Sequence, residues 1–163
     1  MDTSRDGGFD PATGDGPAMT VPGTGREGAV RAAFEGMMQI RRLTNARHPD
    51  PEGVPAEWEL RRPVRAVALA LEAAGISASA VGPTGRRTVT GYRVCEGETP
   101  RSVRVEWVGP AGGGAAHEEE GALAGCTTVL RRLGWTVLMY RGPRRRRFLE
   151  VEPPSAERRS GPA

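Results

Sequence analysis

The sequence contains no lysine; all 23 of its basic residues are arginine. That absence removes two mechanisms. A phosphate-cradling P-loop depends on its lysine, and Schiff-base or pyridoxal chemistry depends on an amine. Cysteine is scarce too, with only Cys95 and Cys126. Two thiols far apart in sequence make neither a disulfide framework nor a four-ligand zinc site, so both read as reduced and at least partly buried. Aromatic residues are 5% of the chain, which leaves few rings for stacking nucleic-acid bases. No apolar run approaches the ~20 residues of a membrane span, and the N-terminus lacks a signal-peptide core. The expectation is a soluble cytoplasmic protein with no membrane contact, no cofactor and no metal.

What is abundant points to composition before function. Arginine in place of lysine, beside plentiful Ala, Gly, Pro and Val, fits GC-rich coding, so the arginine excess is partly a genomic habit. The formal charge is +3, unevenly spread. Residues 1–27 hold five acids against Arg5 and Arg26, whereas residues 116–163 hold nine arginines against six glutamates. The 23 glycines and 14 prolines are not periodic and gather toward the ends. Residues 1–27 therefore read as a disordered acidic Gly/Pro-rich tail. Residues 28–57 read as a helix and a Pro-rich linker, 58–152 as a single α+β domain, and 153–163 as a disordered tail. Translation starting at Met37 or Met38 rather than Met1 is an open alternative at this stage.

Periodicity places the elements. Val30, Ala33, Phe34, Met37 and Met38 recur at helical spacing. Pro63 suits a first helical position, Val64, Val67, Ala68 and Leu71 form a stripe, and Gly75 is a natural stop, predicting a helix over 63–74. Alternation over 76–81, 88–96 and 102–108 predicts three strands, with Gly91 marking a bulge. After the Gly-rich loop 109–116, Glu118, Glu119 and Glu120 open a second helix with the stripe Leu123, Cys126, Val129, Leu130 and Leu133, ended by Gly134. Residues 135–140 and 148–151 read as two further strands.

The order α-β-β-β-α-β-β predicts an α+β fold: an antiparallel sheet of about five strands with two helices on one face. In topology it is similar to the type III secretion chaperone and YbjN-like folds, which bind other proteins. The likeness rests on the order of predicted elements and on no residue motif. A short echo, Leu71-Glu72-Ala73-Ala74-Gly75-Ile76 against Leu130-Arg131-Arg132-Leu133-Gly134-Trp135, is explained as well by shared helix-end grammar as by duplication.

Candidate chemistry is sparse. Gly23-Thr24-Gly25-Arg26-Glu27-Gly28 matches G-x-G-x-x-G, but a dinucleotide site needs a hydrophobic strand before it, and Thr20-Val21-Pro22 is none; it reads as linker. His117 beside Glu118, Glu119 and Glu120 offers a metal one imidazole, yet consecutive helical residues diverge. His48 stands in a loop. Ser77, Ser79, Ser102, Cys95 and Cys126 have no nucleophile signature around them. Glu106 and Glu150 offer a paired-carboxylate site on the exposed sheet face, the remote hydrolase reading. The plainer reading has Arg104, two residues before Glu106, neutralising it.

The sharpest feature is Arg144-Arg145-Arg146-Arg147, with Arg141 nearby, on a hairpin connection. Guanidiniums pair bidentately with phosphate, and a two-stranded ribbon fits a major groove, so these five are the candidate nucleic-acid contacts. Edge charges also block sheet aggregation, which needs no polyanion. The favoured expectation is a small non-catalytic interaction domain binding a protein partner, adaptor or chaperone-like. The alternative is a nucleic-acid-binding accessory protein using the arginine hairpin.

Overall fold

The computed structural model describes residues 9–18 and 25–154. Expectations about residues 1–8, 19–24 and 155–163, including Gly23 and Thr24 of the glycine motif, lie outside the described residues. Among those described, the chain is α+β, with four α-helices, a two-stranded and a four-stranded antiparallel sheet, and no helix long and apolar enough to cross a membrane.

Helix α1 (Arg26–Thr44) carries the predicted stripe and continues past Met38, because Arg41 falls on the same face as Val30, Met37 and Met38; all four are buried. Val30, Met37 and Met38 share one hydrophobic core with the rest of the body, so α1 packs with the region expected at 58–152. Short helix α2 (Glu57–Arg61) leads into α3 (Pro63–Ala73), which begins at the predicted proline. Six successive residues of α3, Ala66 to Leu71, are buried. A helix buried all round must be covered on every side, and α3 lies between α1, α4 and the sheet.

The predicted five-stranded sheet is corrected to four strands plus a separate ribbon. β1 (Ala80–Val81) and β2 (Arg87–Val89) pair only with each other. Thr90 interrupts the expected run, and β3 (Gly91–Glu96) begins a new strand. Close approach at Gly91 explains the break: a Cβ there would lie 2.3 Å from the Ser77 carbonyl oxygen and 2.5 Å from the Ser79 nitrogen. The 77–79 segment therefore runs beside β3 rather than forming a strand of its own, bridged at Ala78 and Tyr92. Tyr92 donates to Ser77 O and accepts from Ser79 N, both at 2.9 Å.

β3, β4 (Val103–Val108), β5 (Thr136–Arg141) and β6 (Arg147–Glu152) form the main sheet in the order β3-β4-β6-β5, every neighbouring pair antiparallel. Helix α4 (Ala115–Arg132) carries the chain from β4 to the far edge. One sheet face, with Tyr92, Val94, Val103, Val105, Val137, Leu149 and Val151, is buried with α3 and α4. Leu123, Cys126 and Leu130 of α4 close that core, as the predicted stripe requires. Two helices thus lie on the sheet as expected, and α1 adds a layer outside α3.

Residues 9–18 fall within the expected acidic tail. They adopt no helix or strand, yet lie against α3, β3 and the ribbon.

Candidate functional site

Side chains alternate across a strand, so burying Val103, Val105 and Leu149 sends their neighbours to the other face. No helix packs on that face among the described residues. The register puts Arg93, Glu106, Phe148 and Tyr140 in one cross-strand row and Cys95, Arg104, Glu150 and Leu138 in the next. At the centre, the Arg104 guanidinium lies 3.8 Å from the Phe148 ring centroid. Tyr140 stacks on the same ring at 5.7 Å between centroids. A cation–π contact on an open face contributes about 0.5–1 kcal/mol.

Toward the edge the surface becomes apolar. Leu138, Met139 and Tyr140, successive residues of β5, are 43, 42 and 46% exposed. They include side chains from both faces of the strand, since neighbours alternate. Among the described residues β5 has no neighbour beyond β6. Its outer side is engaged at one carbonyl, Val137 O, which accepts from Arg131 Nη2 at 2.9 Å.

The two carboxylates proposed as a pair do share the open face, on diagonal positions of β4 and β6. Glu106, however, is paired with Arg93, at 2.8 Å, and not with Arg104, whose carboxylate contact is Glu98 at 3.7 Å. That corrects the neighbour assigned from the i−2 spacing. Arg93 reaches Glu106 because β3 and β4 set the two directly opposite, closer than same-strand neighbours two residues apart. Burial disfavours charge on Arg93, but hydrogen bonds to Glu106 and Asp15 outweigh it and raise its pKa. Glu150 is buried opposite Arg104.

The arginine hairpin divides in two. Arg146 Nε donates to Glu119 Oε2 at 2.5 Å and its Nη2 to the Trp107 carbonyl at 2.7 Å. Glu119 also accepts the Arg147 backbone N–H at 2.6 Å, while the Arg147 side chain approaches Glu120 at 3.7 Å. These two arginines fasten the hairpin to the second turn of α4. Arg141, Arg144 and Arg145 are exposed, with no carboxylate in ion-pair range among the described residues. Arg144 and Arg145 both have left-handed backbone, φ 60° and 62°. That pair of conformations belongs to a tight hairpin turn that favours Asn-Gly, and side chains longer than Asn strain it. The predicted five-residue cluster is therefore a three-residue tip on a two-residue anchor.

The remaining candidates do not converge. His117 is exposed and the His48 ring accepts from the Asp50 backbone at 3.0 Å. No group of three His, Cys, Asp or Glu could hold a metal among the described residues. Ser79 and Ser102 spend their hydroxyls on the carbonyls of Val89 and Thr99. Cys126 is buried, and burial pushes its thiol up to about 12; Cys95 is half-buried and raised for the same reason. Gly25 caps the start of α1, with no strand in the described residues before it.

No family model, curated protein or solved structure matches this chain. Sequence reasoning missed Glu119, which spacing alone would have found: Ala115, Glu119, Leu123 and Cys126 make one helical stripe, placing a carboxylate on an apolar face.

Proposed function

We propose that this chain is a small non-catalytic domain that takes an extended segment of a protein partner onto β5 and the adjoining open sheet face. The observation that carries the reading is the edge itself. Natural sheets blunt an edge strand with charge, proline or a covering element, because an exposed apolar edge recruits other strands. Here Leu138, Met139 and Tyr140 stand exposed on an edge without a covering strand among the described residues. Added strands gain main-chain hydrogen bonds for affinity and use alternate side chains for specificity. The segment that fits is apolar at alternate positions, to meet Leu138 and Tyr140, and acidic where it passes Arg141 and the hairpin tip. Expected binding is micromolar, and Tyr140→Asp weakens it at least tenfold.

One observation favours the rival reading, a nucleic-acid-binding accessory protein. Arg141, Arg144 and Arg145 cluster at one exposed tip, and the last two are held in a strained turn. Phosphate contacts by three arginines predict a log–log salt slope of about −2 to −3 for duplex binding. Duplex titrations at several salt concentrations separate the two readings. Submicromolar binding at physiological salt favours the rival.

A further inference from the structure

The N-terminal segment 9–18 is held as peptide ligands are held, through its main chain. Arg65 Nη2 donates to Phe9 O at 2.6 Å and Arg26 Nη2 to Asp10 O at 3.2 Å. Glu72 accepts from Ala12 N at 2.8 Å, and the Tyr92 hydroxyl donates to Ala12 O at 2.8 Å. Val94 N reaches Thr13 O at 2.7 Å, Arg87 Nη1 reaches Gly14 O at 2.7 Å, and Val81 N reaches Gly16 O at 2.9 Å. Main-chain recognition of this kind tolerates many side chains, provided the backbone follows the same path.

Two features select sequence. At Gly14, φ is +96° and an added Cβ would lie 2.3 Å from Tyr92 O, so the position admits only glycine. At Asp15, the carboxylate meets Arg87 at 2.7 Å and Arg93 at 3.0 Å. Asp10 adds a contact to Arg65 at 3.3 Å. The groove is basic, and the segment in it is acidic.

The segment lies at the margin of the hydrophobic core. None of residues 9–18 is among the buried hydrophobic core; Phe9 packs at its margin. Beside Asp10, Pro11 and Thr13 opens a cleft of about 760 Å³, bounded by Arg62, Arg65 and the Glu96–Ser102 turn. The small side chains of the resident segment leave that space unfilled.

We propose that this groove, along the outer side of β3, is a binding site for an acidic segment of a partner protein that bends at a glycine, and that residues 9–18 hold it as an internal competitor. The fitting partner carries glycine followed by an acidic residue, with larger side chains than Pro11 and Thr13 on the cleft side. The surface lies at the opposite edge of the sheet from β5, so a failed test here leaves the β5 reading standing, and the converse holds.

The test uses the full chain and a fluorescent peptide of residues 9–18 as probe. Gly14→Val expels the resident segment sterically; Asp15→Arg expels it by charge; both leave the groove itself unaltered. An intramolecular segment competes at an effective concentration on the order of 1 mM, enough to exclude a peptide of roughly 0.1 mM affinity about tenfold. Both variants are therefore expected to bind the peptide at least tenfold more tightly than the unaltered chain. Adding Arg93→Glu to Gly14→Val should abolish the gain, and a peptide carrying Asp15→Arg should not bind. Equal binding to all three chains, or binding to none, overturns the proposal. Reaction of the buried Cys126 with a maleimide in both variants, without denaturant, also overturns it, by making the segment part of the fold. A concentration-dependent dimer of the unaltered chain that Asp15→Arg abolishes overturns the partner assignment in favour of a second copy.

Discussion

Arg41 and Glu59 form a two-point ion pair with both side chains fully buried, Nε to Oε2 and Nη2 to Oε1 each at 2.7 Å. The third nitrogen, Nη1, donates to the carbonyls of Glu52 and Leu133 at 2.8 and 2.7 Å. One guanidinium thus joins α1, the 51–53 turn, α2 and the end of α4. Removing one partner from a buried pair strands the other charge, which costs about 3–5 kcal/mol. Arg41→Ala should lose that much in chemical denaturation. Arg41→Met combined with Glu59→Leu should lose clearly less, since no charge is left uncompensated.

Leu130 of α4 and Val105 of β4 are both buried without residual exposure in one core. Leu130→Ala should cost on the order of 2–5 kcal/mol, read from denaturant midpoints at unchanged slope. A change within surface scatter would contradict the packing of α4 on the sheet.

Most of this architecture was legible because its signals are local. The α3 proline and its stripe, and the α4 stripe from Leu123 to Leu130, state period and face together. What escaped was set by long-range contact. The Thr88–Glu96 alternation reads as one strand, and only the passage of Ser77–Ser79 over Gly91 divides it. Arg41 and Glu119 each occupy an apolar stripe, where hydrophobic periodicity does not point to a charged side chain. The 9–18 segment has no periodicity, because its contacts run through the main chain. The arginine run was visible as sequence, but its division into anchor and tip depends on Glu119.

That division can be measured. Arg146→Ser leaves the nearly buried Glu119 without its guanidinium partner and should destabilise the fold by about 1–3 kcal/mol. Arg144→Asn with Arg145→Gly suits the left-handed turn and should stabilise by roughly 1–2 kcal/mol. Thermal unfolding of the two variants should move in opposite directions.

The two thiols should separate in a labelling experiment on the native chain. Cys95, half-buried, reacts slowly with a maleimide as pH rises toward 9. Cys126, buried and pushed up to about 12, reacts only on unfolding. Two labelled thiols without denaturant would contradict the placement of α4.

The docked 9–18 segment should respond to acid. Burial raises the pKa of Asp15, but hydrogen bonds from Arg87 and Arg93 outweigh it and hold the carboxyl below its ordinary 3.8. A lowered carboxyl contributes stabilisation that is present above its ordinary value and lost as pH falls through the lowered one. The Val94 amide resonance, which reports the bond to Thr13, should therefore be constant from pH 7 to about 5. It should then shift below 3.8. Asp15→Asn should remove that transition.

If β5 receives an extended protein segment, a peptide-display selection against the immobilised full chain recovers its ligands. The selected peptides are expected to converge on apolar residues at alternate positions with an acidic end. They should bind with micromolar Kd and lose at least tenfold on Tyr140→Asp, while Arg144→Ser with Arg145→Ser leaves most of the affinity. Selected peptides that share no pattern, or that bind the Tyr140→Asp chain as well as the unaltered one, would contradict it.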